Sequence, residues 1–413
     1  MGYQQGLSGL AGASNALDVI GNNIANANTV GFKSSTAQFS DMYANSIATS
    51  VNTQIGIGTA LASVQQQFGQ GTINTTNSSL DVAINGNGFF QMSNNGTITY
   101  TRDGTFQRDK NGYIVNSQGL NLMGYAADKN GVINTAQTVP LQAPTTNIAP
   151  TATTKITGQF NLNSQDTVPT KTPFDATDTT TYNYSTSIQV YDSLGGSQAV
   201  NIYFVKSAAG TWEAYAGVQG GTTNDLGTIK FDSSGAISGT TTGSPATPTA
   251  ALGQFQFTVP NTDGSATPQT LTLDLTGTTQ YGGKDGVNNL AQDGYASGTL
   301  TTFTIGTDGK LTGNYSNGQT AVLGQIALAN FNNPNGLVNI GGNQYAETAA
   351  SGVPQISVPG STNHGTLQGS ALENSNVDLT SQLVNLITAQ RNYQANAQTI
   401  KTQQTVDQTL INL

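Results

Sequence analysis

The chain has 413 residues, 13 Lys and Arg against 22 Asp and Glu, a formal net charge of −9 and no cysteine. That length allows two or three domains, and the thin acidic charge with no basic stripe argues against a nucleic-acid partner. The missing cysteines exclude a disulfide framework and thiolate metal sites, and charged residues make up only 8% of the chain, against roughly 25% in an average globular protein.

At the N-terminus, Leu7, Leu10, Leu17, Ile20 and Ile24 recur at steps of three, four or seven, which predicts a helix within residues 1–30. Asp18 is its only charged residue. No basic start and no continuous apolar stretch precede Lys33, the first cation, so no cleaved signal peptide is expected. No apolar run approaches the ~20 residues of a membrane span, so no membrane insertion is expected either. Residues 31–71, punctuated by Gly31, Gly56, Gly58 and Gly69, read as a connector.

Residues 72–146 read as short strands and turns of a first β-domain. Leu80 to Ile84, then Asn85-Gly86-Asn87-Gly88, then Phe89-Phe90 predict strand, tight turn, strand. Asp-Lys-Asn-Gly occurs at 109–112 and again at 128–131, with looser echoes at 231–237 and 304–311. A helix-flanked calcium loop needs a Glu at its twelfth position. Leu120 and Val139 stand there, so these are read as turns.

Residues 147–293 shift toward Thr, Gly and Ser and predict an inserted all-β domain. Ser185 to Tyr191 and Ala199 to Val205 alternate as strands around a turn at Asp192 to Gly196, and Trp212, the only tryptophan, is expected in the core. The stretches 165–178 and 238–251 are expected as loops. Strands resume in residues 294–371, completing the first β-domain around the insertion. From 372 to 413 the periodicity is helical again: Leu379, Leu383, Leu386, Tyr393, Ala397, Ile400, Val406, Leu410 and Leu413, with Asp378 as N-cap and no Gly or Pro after Ser370.

The expected fold is therefore multidomain and mainly β with terminal α-helices. Residues 1–30 and 372–413 form a coiled-coil layer, and nested all-β domains fill the middle. Two amphipathic helices cannot bury their apolar stripes alone, which points to an assembly subunit. Catalysis is not expected. His364, the only histidine, lies in a polar loop, and no nucleophile elbow, dinucleotide fingerprint or phosphate loop is present. No cofactor is called for. The alternative of another class is a secreted β-rich adhesin or binding module.

Ser14 to Lys33, with Asn22, Asn23, Asn26, Gly31, Phe32 and Lys33, resembles the N-terminal signature of bacterial flagellar rod and hook axial proteins. Leu80 to Phe90 is similar to the first β-domain motif of that family. Residues 371–413 resemble its C-terminal helix, and Ser185 to Tyr215 the inserted module of hook proteins. The resemblance implies a hook subunit: a homopolymer forming a curved, flexible tube that carries torque from rod to filament around an export channel. It implies rod, hook-cap and hook–filament junction proteins as partners, and export to the cell exterior by the flagellar type III apparatus. A distal rod subunit is the alternative within the family, disfavoured by the large insertion. The assembly seam is expected along Leu7, Leu10, Leu17, Ile20, Ile24, Leu379, Leu383, Leu386, Tyr393, Ala397, Ile400, Val406 and Leu410, with the ends ordering on assembly.

Overall fold

The computed structural model describes residues 2–42, 56–128, 131–144, 146–242, 247–248, 251–261 and 263–411. Leu413, residues 43–55 of the expected connector and part of the 238–251 stretch lie outside them; of that expected loop, residues 238–242 and 247–248 are instead paired strand. The chain divides into one unit of residues 1–145, 301–314 and 320–413, and a second of residues 146–300 and 315–319.

The first unit begins with α1 (Gly2–Ala25). The connector contains two paired strands, β1 (Ser35–Met42) and β2 (Gly58–Gln66), with Ser35 opposite Gln66 and Met42 opposite Gly58. A two-stranded ladder is marginal alone, and this one leans on α1. The Gln5 side chain donates to the Gly56 carbonyl at 2.6 Å, and the Thr59 amide donates to the Ser8 hydroxyl at 3.3 Å.

Next come β3 (Ile73–Thr75) and β4 (Val82–Asn85), which pair not with each other but with residues from the far end of the chain. The partner of β3 is Ala371–Glu373, and that of β4 is Thr366–Gly369. The Asn85-Gly86-Asn87-Gly88 turn therefore does not close a hairpin. It carries the chain from β4 into β5 (Phe89–Asn94), a strand of the large sheet, with Gly86 at φ 108 and Gly88 at φ 122. The hairpin signal is satisfied one step later, where Asn95-Gly96 joins β5 to β6 (Thr97–Thr101). Strands from 121–126, 310–315, 320–326 and 338–346 are among the thirteen of that sheet, so both flanks of the insertion build it. Phe89, Tyr100, Phe331, Tyr345 and Phe68 meet edge to face in its core. The unit ends in α2 (Leu379–Ile411), 33 residues long. Asp378 caps it as expected, accepting the Thr380 and Ser381 amides at 2.9 and 3.3 Å and the Ser381 hydroxyl at 2.8 Å. Those bonds, the Ser381 hydroxyl first, hold the Asp378 carboxyl below its ordinary range.

The second unit has a six-stranded antiparallel sheet running from Tyr184–Tyr191 to Thr247–Pro248, and a five-stranded mixed sheet centred on Lys155–Asn163. Alternating side chains from both fill one core around Trp212, Phe160, Phe204, Phe255 and Leu273. Trp212 is fully buried, as its sequence context predicts. The 165–178 loop is anchored by Phe174, which stacks on Tyr215 with centroids 4.2 Å apart.

The repeated Asp-x-x-Gly motif is one turn used several times. Asp109 Oδ1 accepts the Asn111 and Tyr113 amides at 2.9 and 2.7 Å, and Gly112 follows at φ 87. Asp192 and Asp232 repeat this with Gly195 at φ 88 and Gly235 at φ 80. The carboxylate oxygen that a cation would need is committed to backbone amides, and glycine supplies the left-handed conformation.

Candidate assembly interface

The helices α1 and α2 run antiparallel, with Gly6 beside Ile400, Gly9 beside Asn396, and Asn23 donating to Gln382 Oε1 at 3.3 Å. On α1 the residues facing α2 are small. A Cβ on Gly6 would lie 2.9 Å from Ile400, and one on Gly9 2.6 Å from the Asn396 side chain. Gly6, Gly9, Ala13, Ala16, Ile20 and Asn23 follow steps of three and four. On α2, Gln382, Ala389, Asn396 and Gln403 recur every seven residues, and Ala389 is its one buried residue. Small side chains let the two helix axes approach closely, so this pair packs by backbone proximity rather than by leucine.

The expected seam residues divide accordingly. Leu10, Leu17, Ile20, Ile24, Leu386, Ala397 and Ile400 are half-buried within the chain. Leu7, Leu379, Leu383, Tyr393, Val406 and Leu410 are exposed, as are Val384, Ile387 and Ile411, which the periodicity reading did not single out. Most of the large apolar side chains of α2 therefore have no cover inside one chain.

The signature residues do something different: they tie the helices to the β-domain. Asn23 is buried, accepts the Ser35 amide at 2.9 Å and donates to the Ser35 carbonyl at 2.7 Å, fixing where β1 leaves the helix. Asn26 donates to the Asn22 carbonyl at 2.9 Å and accepts the Thr29 hydroxyl at 3.1 Å, closing the end of α1. Gly31 has φ 69, and a Cβ there would lie 2.6 Å from the Asp103 amide nitrogen, so only glycine fits. Phe32 is buried beside it.

Lys33 is fully buried. Its Nζ donates to Glu373 Oε1 at 2.6 Å and to the Gly69 carbonyl at 2.9 Å. Glu373 also accepts the Gly71 amide at 2.8 Å and Arg102 at 3.3 Å, and Arg102 donates to the Gly86 carbonyl at 2.8 Å. Burial first, and the Arg102 charge second, push the Lys33 ammonium below its ordinary range. Asn376 adds bonds to the Ser34 amide at 2.8 Å and the Gln67 carbonyl at 2.7 Å. Arg102, Glu373 and Asn376 are not singled out by any local sequence pattern. Their signal was present only as charged or amide residues in apolar or helix-flanking contexts.

Nothing in this geometry resembles a reaction centre. The His364 ring nitrogens lie 3.0 and 2.9 Å from the Thr362 and Gln355 carbonyls, not from a serine or carboxylate. Among the described residues no three His, Asp or Glu side chains converge on a metal position, and no helix is long and apolar enough to cross a membrane.

Comparison with known proteins accounts for each part. Residues 4–33 match the family described as Flagella basal body rod protein, and 83–157 the Flagellar hook protein FlgE/F/G D1 domain. Residues 161–295 match the Flagellar basal body protein FlaE D2 domain, and 368–413 the Flagellar basal body rod FlgEFG protein C-terminal family. The flagellar hook protein FlgE of Salmonella typhimurium is 42% identical over 424 residues, covering 100% of both chains. That of Treponema pallidum is 33% identical, covering 99% of this chain and 98% of its own. The crystal structure of Helicobacter pylori flagellar hook protein FlgE2 shares the fold, with a TM-score of 0.50 at 16% identity over 73% of this chain and 100% of that one. With full-length identity to hook proteins and matching families at both ends and in both β-regions, the chain belongs to the flagellar hook protein family and is a structural subunit of the bacterial hook, not an enzyme.

Proposed function

We propose that the terminal helices of many copies form the inner layer of a helical tube around a channel, and that the exposed apolar side chains of α2 are buried there by neighbouring copies. The observation that carries this reading is the contrast between the two faces of α2. One face is satisfied within the chain by Gly6, Gly9 and Ala13, while Leu379, Leu383, Val384 and Ile387 stand exposed on the other. Burial worth about 25 cal/mol per Å² becomes available to them only when copies meet. Head-to-tail contacts of unlike surfaces propagate a helical tube when their rotation does not close into a ring. The almost uncharged helices suit packing of identical copies, where like charges would repel.

The seam runs along the expected residues from Leu7 to Ile24 and from Leu379 to Leu410. The tube is curved and flexible because the helical layer holds subunits while the Thr-, Asn- and Ser-rich β-units of neighbouring copies slide on weak, water-mediated contacts. Rod, hook-cap and junction proteins meet its ends, and the subunit leaves the cell through the flagellar export apparatus.

Negative-stain electron microscopy of the purified full chain under polymerising conditions tests this reading beside a Leu383→Asp variant. Leu383 is exposed, so the variant should fold. The wild type should give curved, flexible tubes and the variant none. Normal tubes from Leu383→Asp would remove this face from the interface; straight, stiff tubes from the wild type would favour a rod-like role.

A further inference from the structure

Charge is scarce on the terminal helices. Asp18 is the only charged residue of α1, and α2 carries Arg391, Lys401 and Asp407. Asp407 accepts the Gln403 side-chain amide at 3.2 Å. One carboxylate and two cations are left, and none of the three belongs to an ion pair among the described residues.

The antiparallel register that sets Gly9 beside Asn396 and Asn23 beside Gln382 puts Asp18 level with Ile387, one helix turn from Arg391. The two charges nevertheless point apart. Ala16 of α1 and Ala389 of α2 lie on the facing sides of the helices. Two residues further along is about 200° round a helix of 3.6 residues per turn. Asp18 and Arg391 therefore stand on opposite outer sides of the pair, and both are exposed.

Their surroundings differ in a complementary way. Ala11, Asp18 and Ala25 recur every seven residues along the outer side of α1, all exposed. On α2, Val384, Ile387 and Arg391 follow steps of three and four, with Val384 58% and Ile387 51% exposed. Small side chains flank an anion on one side of the helix pair, and large apolar side chains lead to a cation on the other. A charge carried into an interface that excludes water is costly unless an opposite charge meets it. Lys401, ten residues beyond Arg391, falls off the row of Val384 and Ile387. The planar Arg391 guanidinium also matches a carboxylate better than an ammonium does.

We infer, on the basis of the hook reading, that Arg391 of one copy pairs with Asp18 of a neighbouring copy and sets the register in which Val384 and Ile387 seat against Ala11 and Ala25. Because the two patches lie on opposite sides, a copy cannot satisfy itself. The contact is heterologous, and each added copy leaves one patch of each kind free for the next.

Charge exchange in the full chain tests the pair. Asp18→Arg, Arg391→Asp and the double variant are compared with wild type by the concentration needed for tube growth. Helical circular dichroism and Trp212 fluorescence confirm that each is folded. Either single change sets like charges against each other and should raise that concentration about tenfold or more. The double variant restores opposite charges and should return to within about threefold of wild type. Single variants that grow like wild type, or a double variant no better than the singles, overturn the pair and leave the hook reading intact. Rescue of Asp18→Arg by Lys401→Asp in place of Arg391→Asp overturns the assignment of Arg391. Wild-type protein that forms no tubes overturns the hook reading and the contact together.

Discussion

Lys33 Nζ lies 2.6 Å from Glu373 Oε1, and both side chains are fully buried although 340 positions separate them in sequence. Arg102 Nη1 sits 3.3 Å from the other oxygen of the same carboxylate. One anion therefore holds two cations, one from the segment after α1 and one from the β-domain, while its own strand leads into α2. Removing one partner of a buried pair costs about 3–5 kcal/mol, because the remaining charge is left unpaired. Glu373→Gln strands two cations and should lose at least that much. Lys33→Met leaves Glu373 with Arg102 and the Gly71 amide and should lose less. The sole tryptophan belongs to the other unit. Urea unfolding followed by helical circular dichroism should shift in Glu373→Gln while the Trp212 fluorescence transition stays in place. Coincident shifts of both signals would contradict this assignment.

Alkaline stability of the first unit should be set by buried tyrosines. Burial pushes Tyr345 up to about 12 from its ordinary 10.0, and burial with the Glu347 charge raises Tyr100 well above the same value. Above pH 10 the unfolded chain releases these protons while the folded chain keeps them, so stability falls as pH rises from about 10 to 12. Lys33 acts in the opposite sense: its depressed value means the unfolded chain holds the proton longer, and folding gains as pH climbs toward 10.5. Two tyrosines outweigh it above pH 10. Tyr345→Phe should flatten the decline by about 2 kcal/mol near pH 12, read as urea midpoints by circular dichroism at successive pH values.

Phe174 should govern the order of the 165–183 loop. Its ring stacks on Tyr215 at 4.2 Å and meets Tyr203 at 5.2 Å, while Thr181 bridges the loop by accepting the Asp175 amide at 3.1 Å. Such ring pairs contribute about 0.5–1.5 kcal/mol beyond their buried area. Phe174→Ala should open this loop to limited proteolysis many-fold faster without moving the Trp212 unfolding transition, since the core behind it is untouched.

The architecture was legible because its signals are local: two helical periodicities at the ends, period-two strands between them, and Asp-x-x-Gly turns that repeat. The junction was not. Lys33 stood out as part of a motif, but Arg102 and Glu373 reach it across long stretches of chain, and no local pattern links them. The helix seam was half legible. Leu10, Leu17 and Ile24 repeat every seven residues and draw the eye, yet they flank the intrachain contact. Gly6, Gly9, Ala13 and Ala16 carry the same spacing and lie in it. An apolar scan gives glycine and alanine little weight, although at a close helix crossing small size is the property that matters. The leucine pattern marks the half-buried flank of that contact.

Two glycines of α1 separate these roles. Gly21 is exposed, and a Cβ there would meet nothing within 4 Å. Gly21→Ala should stabilise the helix by about 0.5–1 kcal/mol, the usual gain over glycine in a helix interior, and leave tube growth unchanged. Gly9 faces Asn396, whose side-chain oxygen would lie 2.6 Å from a Cβ. The far end of Asn396 can swing aside for one methyl, so Gly9→Ala should be close to neutral, with propensity offsetting the displaced side chain. Gly9→Leu fills the space the second helix occupies and should split the pair. Its loss should appear as reduced helical signal and absent tubes, with the Trp212 transition intact. Tubes of normal length from Gly9→Leu would mean that α1 and α2 of one chain do not stay paired in the polymer.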